Sequence, residues 1–463
     1  MSPKVKILNM KLSQRQVQHL FWRAGFLPSY DQIQQAAGEK PKKLFDQLIK
    51  ASSSYKKFKI ETNYQIDYRQ MKMASREEKK AMRKMSRESI MELNNKWLDH
   101  MATTDSVLRE RMSLFWHNHL ACSSNNVNFL QSYLHVIRKN SLGNFREMLH
   151  AVSKEPAMLL YLNNQQNVKG RPNENFAREL MELFTLGIGN YSEEDIKNAA
   201  RSFTGWGMRK GEFFLREKFH DDGIKTFFGE TGHLEGEDII NILLKNKQTA
   251  RHICTKMYMY FVNDQVDKAR VEQLATVFYD NDYEILPLLE AMFTSSWFYD
   301  QENIGTKIKS PIDLLIGLRR SMDIDFNNYQ GQLFIERQLG QVLFYPPNVA
   351  GWPGGHDWID SSSLMLRTRL TEILLLSSEI DLKVKDSGDD NDQIKLPKKL
   401  KQLGSKVDLS EMEKSLNGAS DLSVSLSNYF LQLEIDKSIQ PSNTEALVHH
   451  IIALSKTPEF QLC

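Results

Sequence analysis

Two histidines, a residue type that can act in catalysis or bind a metal ion, stand close together in one short segment, FWHNHL at 115–120. His117 and His119 are two residues apart, so on a helix their side chains point about 200° apart. A metal site that uses both histidines is therefore disfavoured. Trp116 and His119, three apart, share a helical face. His119 is then either a core or helix-terminal histidine satisfied by one hydrogen bond, or a metal ligand or general base.

A polar stripe runs along the segment 172–187, PNENFARELMELFTLG, where polar and apolar side chains separate at helical spacing. Such a stripe is typical of a solvated helix face, and it is also the pattern of a polar cavity wall. Carboxylates in a cavity can act as acid, base or metal ligand. Glu179 and Glu182 are therefore candidate catalytic residues. Asn175 and Arg178 are candidate ligand-binding residues.

A second acid–base segment is HDDGIK at 220–225. An imidazole next to a carboxylate suits a divalent cation, and some metal-dependent phosphohydrolases use such a pair. His220 and Asp221 are therefore candidate catalytic residues, with Lys225 as a candidate ligand-binding residue. The alternative is structural, with Asp221 forming a cap or turn and His220 packed on an aromatic ring.

The segment 340–359, GQVLFYPPNVAGWPGGHDWI, predicts a long ordered loop because prolines stiffen it and glycines let it turn. Trp352 and Trp358 are candidates for stacking on a sugar or another planar ligand, or else they pin the loop to the core. Gln341 and Asn348 can supply neutral hydrogen bonds to a ligand or to the backbone. We take all four as candidate ligand-binding residues.

Helices must position most of these residues, because apolar side chains recur at three- and four-residue spacing through most of the chain. Ser310 followed by Pro311 predicts a helix start, as does Ser192 followed by Asp195. At 204–219, TGWGMRK and GEFFLREKF flank a turn signal and predict a β-hairpin. We expect a mainly α fold, a multi-helix globular array with one short β-hairpin near 204–219 and long ordered loops.

Two polar segments divide the chain. Residues 69–88 carry eight Lys or Arg against three Glu and predict a basic helical excursion, at about 66–92, from a helical core at 1–380. Few aromatic residues interleave with these charges, which favours a solvated face over a nucleic-acid patch. Residues 381–421 predict a polar linker or lid. Residues 422–463 predict C-terminal helices packed back on the core.

The balance of charge excludes several partner classes. The chain has 60 Lys plus Arg and 58 Asp plus Glu, a net charge of +2, so no global field draws it to nucleic acid or to a membrane. It shows no signal peptide and no apolar run of about 20 residues. Three scattered cysteines fit neither a disulfide framework nor a zinc site. We expect a soluble chain, cytoplasmic by default, with no nucleic-acid or membrane partner.

Five separated segments together resemble the bacterial family labelled domain of unknown function 1800. In chain order they are 115–120, 172–187, YSEEDIKNAARSFTGW at 191–206, HDDGIKTFFG at 220–229, and 340–359. HLFWRAGF near the start and KTPEFQL near the end are similar as well, so only the basic helix and the segment 383–421 stand outside the resemblance. Within these segments, His119 matches the family's tryptophan-x-x-histidine pattern.

The resemblance implies a mainly helical protein without an established activity. It also implies a companion family, often encoded beside it, that is similar to sulfatases or alkaline phosphatases. A sulfatase/phosphatase-like companion protein is therefore a predicted partner. Many relatives look exported, which leaves open export together with that partner.

Two functions follow from these residues, and the sequence does not decide whether the protein is an enzyme. In the first, a hydrolase or transferase gathers His119, Glu179, Glu182, His220 and Asp221 in one polar cleft, with a divalent metal ion as the candidate cofactor. The alternative is a non-catalytic binding or assembly factor for a companion protein or a glycan. A third, purely structural hypothesis joins the charged stripe and Arg201 in a buried ion-pair network.

Overall fold

The computed structural model describes residues 8–57, 59–60, 73–377, 402–435 and 446–463. Helices hold most of these residues, and the strands form only short antiparallel pairs. The prediction of a mainly α fold is therefore confirmed. None of the described helices is both long enough and apolar enough to cross a bilayer.

The helices up to residue 202 are numbered in chain order. They are α1 (Gln14–Ala24), α2 (Tyr30–Ala36), α3 (Pro41–Ala51), α4 (Arg76–Thr103), α5 (Val107–His119), α6 (Val127–Asn140), α7 (Phe145–Ser153), α8 (Pro156–Tyr161), α9 (Asn175–Glu179) and α10 (Glu193–Ser202). A π-helical segment, Leu180–Thr185, continues α9 directly. The polar stripe predicted for one α-helix therefore changes helix type partway along.

The later helices follow the same numbering. They are α11 (Gly236–Lys245), α12 (Lys247–Phe261), α13 (Lys268–Asp280), α14 (Ile285–Phe293), α15 (Pro311–Ser321), α16 (Tyr329–Leu339), α17 (Ser361–Leu376), α18 (Ser410–Leu416), α19 (Leu422–Phe430) and α20 (Leu447–Ser455). Short 3₁₀ turns occupy several connections; they are Asn164–Gln166, Glu217–Phe219, Ser296–Tyr299, Gln301–Asn303, Gly355–Trp358 and Glu459–Gln461.

Helices begin where the sequence places capping residues. The Ser192 side chain accepts a hydrogen bond from the Asp195 amide, and the Asp195 carboxylate accepts one from the Ser192 amide. Ser310 and Asp313 form the same reciprocal pair at the start of α15, where Pro311 is the first helical residue. Both predicted helix starts are confirmed, because each cap satisfies amides that lack a partner within the helix.

The predicted β-hairpin near 204–219 is confirmed. Strand β1 (Trp206–Arg209) pairs antiparallel with β2 (Glu212–Leu215). The turn between them consists of Lys210 and Gly211, both with positive φ, at 54° and 84°. Such a two-residue turn matches the right-handed twist of paired strands, which explains the glycine at its second position.

Two further antiparallel pairs were not predicted. Strand β3 (Lys225–Phe227) pairs with β4 (Glu230–Gly232), and β5 (Ile324–Phe326) pairs with β6 (Ser405–Val407). Each strand has only three residues, which is too short to show the alternation that reveals a strand in sequence. The second pair also joins segments far apart in the chain, a contact that local patterns do not encode.

Helix α5 runs through the core and is buried on nearly every side. Phe115 and Trp116 lie in the apolar cluster, and Arg109, Glu110 and Arg111 are each less than a tenth exposed. A helix that is buried all round has no solvent face, so its charges need partners inside the protein. This central helix ends at the histidine segment and thereby fixes its position.

Glu110 shows how the core accommodates such a charge. Its carboxylate accepts hydrogen bonds from Arg138, at 2.7 Å, and from the indole of Trp97, at 2.9 Å, and it lies 3.3 Å from His100. Burial acts to raise the pKa of Glu110, but the hydrogen bonds from His100 and Arg138 outweigh it and hold the pKa at about 2. The carboxylate is therefore ionised and fully partnered.

The described parts of the two polar segments join the helical body. Of the predicted basic excursion, residues 66–72 lie outside the described residues; the rest begins at 73, and α4 buries Ile90 and Trp97. Of the predicted linker or lid, residues up to 401 lie outside the described residues. From residue 402 onward, β6 pairs with β5, and Met412 of α18 is buried.

The C-terminal helices pack against earlier parts of the chain. Helix α20 contacts α17 and α19, and the Tyr429 hydroxyl of α19 donates a hydrogen bond to the Pro28 carbonyl at 2.8 Å. The three cysteines are buried and form no disulfide; they are Cys122, Cys254 and Cys463.

Candidate ligand-binding cavity

A cavity of about 560 Å³ lies between α1, the end of α5, helix α12 and the loop 340–359. Its apolar lining includes Leu114, Phe115, Met259, Tyr260, Trp352 and Trp358. Its charged lining consists of Arg23, Arg111, Lys256, Asp264, Lys307, Asp313 and Asp357. The volume falls within the roughly 300–1,000 Å³ usual for small-molecule sites, which makes this cavity the candidate functional site.

The loop is anchored to α5 by two neighbouring side chains. Asn118 accepts a hydrogen bond from the Trp352 amide at 2.7 Å and donates one to the Trp352 carbonyl at 3.4 Å. His117 Nε2 accepts a hydrogen bond from the Phe344 amide at 3.1 Å. Asn118 was not singled out by sequence reasoning. Its only signal in the sequence was an amide side chain between the two histidines of FWHNHL.

The two tryptophans of the loop both line the cavity and both pack inward. Trp352 and Trp358 are only 5% and 7% exposed, and the Trp352 ring lies 5.3 Å from the ring of His117. The two roles weighed for them from the sequence are therefore compatible, since each ring can hold the loop and present an edge or face to the cavity. Gly351, with φ of 84°, lets the chain turn directly before Trp352, where the loop passes Asn118.

The neutral candidates of the loop bond to backbone. Gln341 lines the cavity, and its side-chain oxygen accepts a hydrogen bond from the Ile312 amide at 3.1 Å, next to the start of α15. Asn348 is exposed and accepts a hydrogen bond from the Ala350 amide at 2.8 Å. Both side chains thus shape the loop, and Gln341 also reaches the cavity.

His119 is the last residue of α5 and reaches the cavity from one side. Its Nε2 donates a hydrogen bond to the Phe184 carbonyl at 3.2 Å, and its ring stacks on Phe115. Burial, together with the charge of Lys256, lowers its pKa well below the usual value. His119 is therefore a neutral imidazole at a helix end with one hydrogen bond, the geometry of the structural alternative stated for it.

A second histidine repeats this arrangement. His252 of α12 donates a hydrogen bond from Nε2 to the Leu183 carbonyl at 3.1 Å, and its ring lies 6.3 Å from that of His119. Burial lowers the pKa of His252 to about 4. Two neutral imidazoles thus donate to two successive carbonyls, those of residues 183 and 184, near the end of the π-helical segment. Carbonyls at a helix end lack a partner within the helix.

Lys256 is the charged residue of the cavity that stands apart. Half-buried on α12, it makes no hydrogen bond or ion pair with any of the described residues. Burial lowers its pKa, and no acidic group acts in the opposite direction. Sequence reasoning missed Lys256 because a single lysine in an amphipathic helix carries no motif.

The other cations of the cavity have partners. Lys307 pairs with Asp264, and Arg111 pairs with Asp313. Arg23 donates to the carbonyls of Cys463, at 2.8 Å, and Asn303, at 3.2 Å. The contrast with these three side chains marks Lys256 as the cation available to a bound molecule.

The predicted polar stripe makes its contacts elsewhere. Arg178 donates hydrogen bonds to Glu193 at 3.0 Å and to Glu174 at 3.1 Å, and all three are surface side chains. Glu182 accepts a hydrogen bond from the Tyr191 hydroxyl at 2.5 Å. Glu179 is half-buried; burial first, and then the charge of Glu182, raises its pKa.

Asn175 stands at the start of α9, where its amide donates to the side chain of Asn173 at 3.1 Å. The stripe therefore has two parts. One is the surface ion-pair group of Arg178, and the other is the pair of carboxylates, Glu179 and Glu182, where α9 continues into the π-helical segment. Segments of π-helix occur frequently at functional sites. Among the described residues, Arg178 is the cation that acts on Glu179.

The segment 220–225 forms a bonded turn. His220 donates a hydrogen bond from Nδ1 to the Thr204 carbonyl at 2.8 Å. Asp221 accepts hydrogen bonds from Arg201 at 2.8 Å and from the Gly223 amide at 2.9 Å, and the Arg201 hydrogen bond lowers its pKa. The turn geometry is that of the structural alternative for this segment.

Lys225 is buried and donates a hydrogen bond to the Leu234 carbonyl at 2.9 Å; burial lowers its pKa. The ion pair of Arg201 with Asp221 also bears on the third hypothesis, in which Arg201 joins the charged stripe. Arg178 instead pairs with Glu174 and Glu193, so the two arginines belong to different ion-pair groups.

The five candidate catalytic residues thus make their polar contacts in three places. His119 lies at the cavity, Glu179 and Glu182 on the helix junction, and the 220–221 pair in the turn after the hairpin. Across the described ranges, no group of three or more His, Cys, Asp or Glu side chains could hold a metal ion. The shared-cleft hypothesis gains no support from these contacts.

Comparison with known proteins gives one match. The family model described as Protein of unknown function (DUF1800) matches residues 19–462, which is nearly the whole chain. No curated protein and no solved structure matches the chain.

Proposed function

We propose a function for this chain, which belongs to the DUF1800 family of proteins of unknown function, from its cavity: it binds a small organic anion that carries a planar apolar group. Lys256 is the observation that carries this proposal. A half-buried ammonium without a partner is costly, because burial removes water and no protein group replaces it. An anionic ligand would supply the missing charge and hydrogen bond.

The rest of the cavity supports the same kind of ligand. Four cationic side chains line it against three acidic ones, and one of the acidic residues, Asp357, is exposed on the loop. The other two of these three acidic residues, Asp264 and Asp313, already form ion pairs with Lys307 and Arg111. Lys256 is therefore the cation of the lining that has no counter-charge among the described residues.

The aromatic walls select for shape. Phe115, Tyr260 and the two loop tryptophans present ring surface around the cavity. Aromatic side chains bind planar apolar groups by offset or edge-to-face packing, worth roughly 0.5–1.5 kcal/mol for each pair beyond the buried area. A ring-bearing carboxylate, sulfonate or phosphate combines both requirements.

The alternatives considered from the sequence fit less well. A glycan could stack on tryptophan, but a neutral sugar would leave Lys256 without a counter-charge. A hydrolase or transferase using Glu179 and Glu182 stays a proposal, supported by the raised pKa of Glu179. Binding of a sulfatase/phosphatase-like companion protein also stays a proposal, and it does not compete with a small-molecule site.

Replacing Lys256 by methionine should weaken binding of an aromatic anion by about 10- to 100-fold. The estimate follows from the roughly 1.5–3 kcal/mol of a hydrogen bond to a charged group. The probe is 8-anilinonaphthalene-1-sulfonate, a planar sulfonate whose fluorescence rises in apolar sites. Its affinity is measured by fluorescence titration of the native protein and of Lys256→Met and Lys256→Arg, and the arginine variant should keep most of the affinity.

Lys268→Met is the matched control, since Lys268 is exposed at the start of α13 and does not line the cavity. Cooperative thermal unfolding of each variant shows that dye is not binding to a loosened fold. The proposal fails if the native protein shows no saturable dye binding, or if Lys256→Met binds the dye as tightly as the native protein does.

A further inference from the structure

We propose that Lys256 forms an imine with the carbonyl carbon of a 2-oxo acid held in the cavity. This inference rests on the proposed function and deepens it, because it specifies the class of anion and gives the amine a covalent role. It is carried by the position of one lysine without a partner, on an apolar cavity wall, next to two uncharged imidazoles.

The surroundings of Lys256 favour a nucleophilic amine. His119 and His252 act on it as neutral neighbours, because burial keeps the pKa of both imidazoles below neutral pH. Burial also lowers the pKa of Lys256 itself, with no acidic neighbour to oppose it. A desolvated lysine of this kind reaches its neutral, nucleophilic form more readily than a surface lysine does.

The other lysines near the cavity are engaged in ways that Lys256 is not. Lys307 is paired with Asp264, whose carboxylate opposes the lowering of the Lys307 pKa by burial and occupies its ammonium group. Lys309 is fully buried between the rings of Trp22 and Phe460, each 4.5 Å from its Nζ, and donates to the Phe460 carbonyl at 2.5 Å. Among the described residues, Lys256 is the lysine that lines the cavity without a hydrogen bond or ion pair to the protein.

A 2-oxo acid fits both states of this amine. In the ammonium state Lys256 attracts the carboxylate, which brings the adjacent carbonyl carbon to the same nitrogen. After one proton leaves to solvent, the nitrogen lone pair forms a bond to that carbon. The oxygen takes up one proton from the nitrogen and one from solvent, the former carbonyl C–O bond then breaks, and the oxygen departs as water.

The atoms and charges of the step balance. Starting from the ammonium, the products are a protonated imine and one water molecule. One ammonium hydrogen stays on the imine nitrogen and one moves to the oxygen, and the proton released to solvent is matched by the one that the oxygen takes up from solvent. No oxidant, reductant or metal ion takes part. The ring of an aromatic 2-oxo acid would remain against Trp352 and Phe115, as proposed for the bound anion.

Phenylpyruvate with cyanoborohydride tests the inference, because the reductant converts an imine to a stable secondary amine. Intact-protein mass spectrometry and peptide mapping should show about one adduct per chain, on Lys256, with excess probe. Lys256→Arg should show no adduct at this site, whereas Lys268→Met should be labelled as the native protein is. No adduct on Lys256, or labelling spread over surface lysines without enrichment there, would overturn the inference.

A dye-displacement titration without reductant separates this inference from the proposed function. Phenyllactate, which has a hydroxyl in place of the carbonyl, should displace the dye as phenylpyruvate does and leave no adduct after reduction. Displacement by both acids without labelling of Lys256 would refute the imine and keep the binding site. Displacement by neither acid, with no labelling, would refute both.

Discussion

Replacing Glu336 by glutamine should make the protein more stable at pH 8 and above, and should flatten the dependence of its stability on pH. Glu336 lies on α16 and is fully buried. Its carboxyl group accepts hydrogen bonds from Asn94, at 2.7 Å, and from the Leu343 amide, at 3.4 Å, and no cation among the described residues lowers its pKa. Burial outweighs these hydrogen bonds and raises the pKa of Glu336 from 4.5 to about 8.

The sign of the effect follows from proton binding. Between pH 4.5 and about 8 the folded protein keeps a proton on Glu336 that the unfolded chain has released. The free energy of unfolding therefore falls as pH rises through this window, by up to about 1.4 kcal/mol per pH unit. The total loss is roughly 3–5 kcal/mol, after which a charged carboxylate is buried without a counter-ion.

Glutamine has nearly the shape of the neutral acid and cannot ionise. Its NH2 group replaces one of the two accepting oxygens and can donate to the Asn94 side-chain oxygen, which is buried without a hydrogen bond among the described residues. Urea unfolding of the native protein and Glu336→Gln at pH 5, 7 and 9 measures the difference, in which other titrating groups cancel. Glu413→Gln is the control, because Glu413 is exposed on α18. Parallel stability curves for the native protein and Glu336→Gln would show that this carboxyl group does not carry the pH dependence.

Gly351→Ala should cost about 3–5 kcal/mol of stability and abolish dye binding in the cavity. The glycine has φ of 84°, a conformation that costs a residue with a Cβ roughly 1–3 kcal/mol. An added Cβ would also overlap the backbone oxygen and side-chain Oδ1 of Asn118. Relief of that overlap requires the loop to move away from α5, at a further cost of roughly 1–3 kcal/mol.

Gly340→Ala separates the cost of the positive φ from the cost of the overlap with Asn118. Gly340 also has a positive φ, 92°, but an added Cβ would meet nothing within 4 Å. Its substitution should cost only the conformational term and leave dye binding unchanged. Thermal unfolding and dye titration of both variants provide the comparison. Equal losses in the two variants would show that contact with Asn118 does not hold the loop in place.

Local signals in the sequence were sufficient for much of the fold. Ser192, Ser310 and the turn at 210–211 specify their elements through hydrogen bonds and φ angles that involve only nearby residues. The β5–β6 pair depends on a contact between segments about 80 residues apart, and its strands are too short to show a recognisable alternation of polar and apolar residues. Sequence reasoning fails there because the stabilising partner lies elsewhere in the chain.

The site was less accessible to sequence reasoning, for the same physical reason. His119 and the loop tryptophans stood out by residue type, and the structure places all of them on the cavity. Lys256 has no distinguishing neighbour in sequence; its isolation appears only once α12 is packed against α5. Conversely, the carboxylates of the stripe looked like partners of His119 in sequence, although Glu182 bonds to Tyr191 and the charges that act on Glu179 are those of Glu182 and Arg178.

The loop 340–359 is attached to α5 by groups other than the side chains that it presents to the cavity. Its bonds to α5 are made by its main chain, through the amides of residues 344 and 352, to the side chains of His117 and Asn118. The loop's own side chains are therefore not needed for those bonds. A substitution at a cavity-facing position such as Trp358 removes the packing of that ring but leaves these main-chain bonds in place, so the proposed binding site is open to alteration by protein engineering.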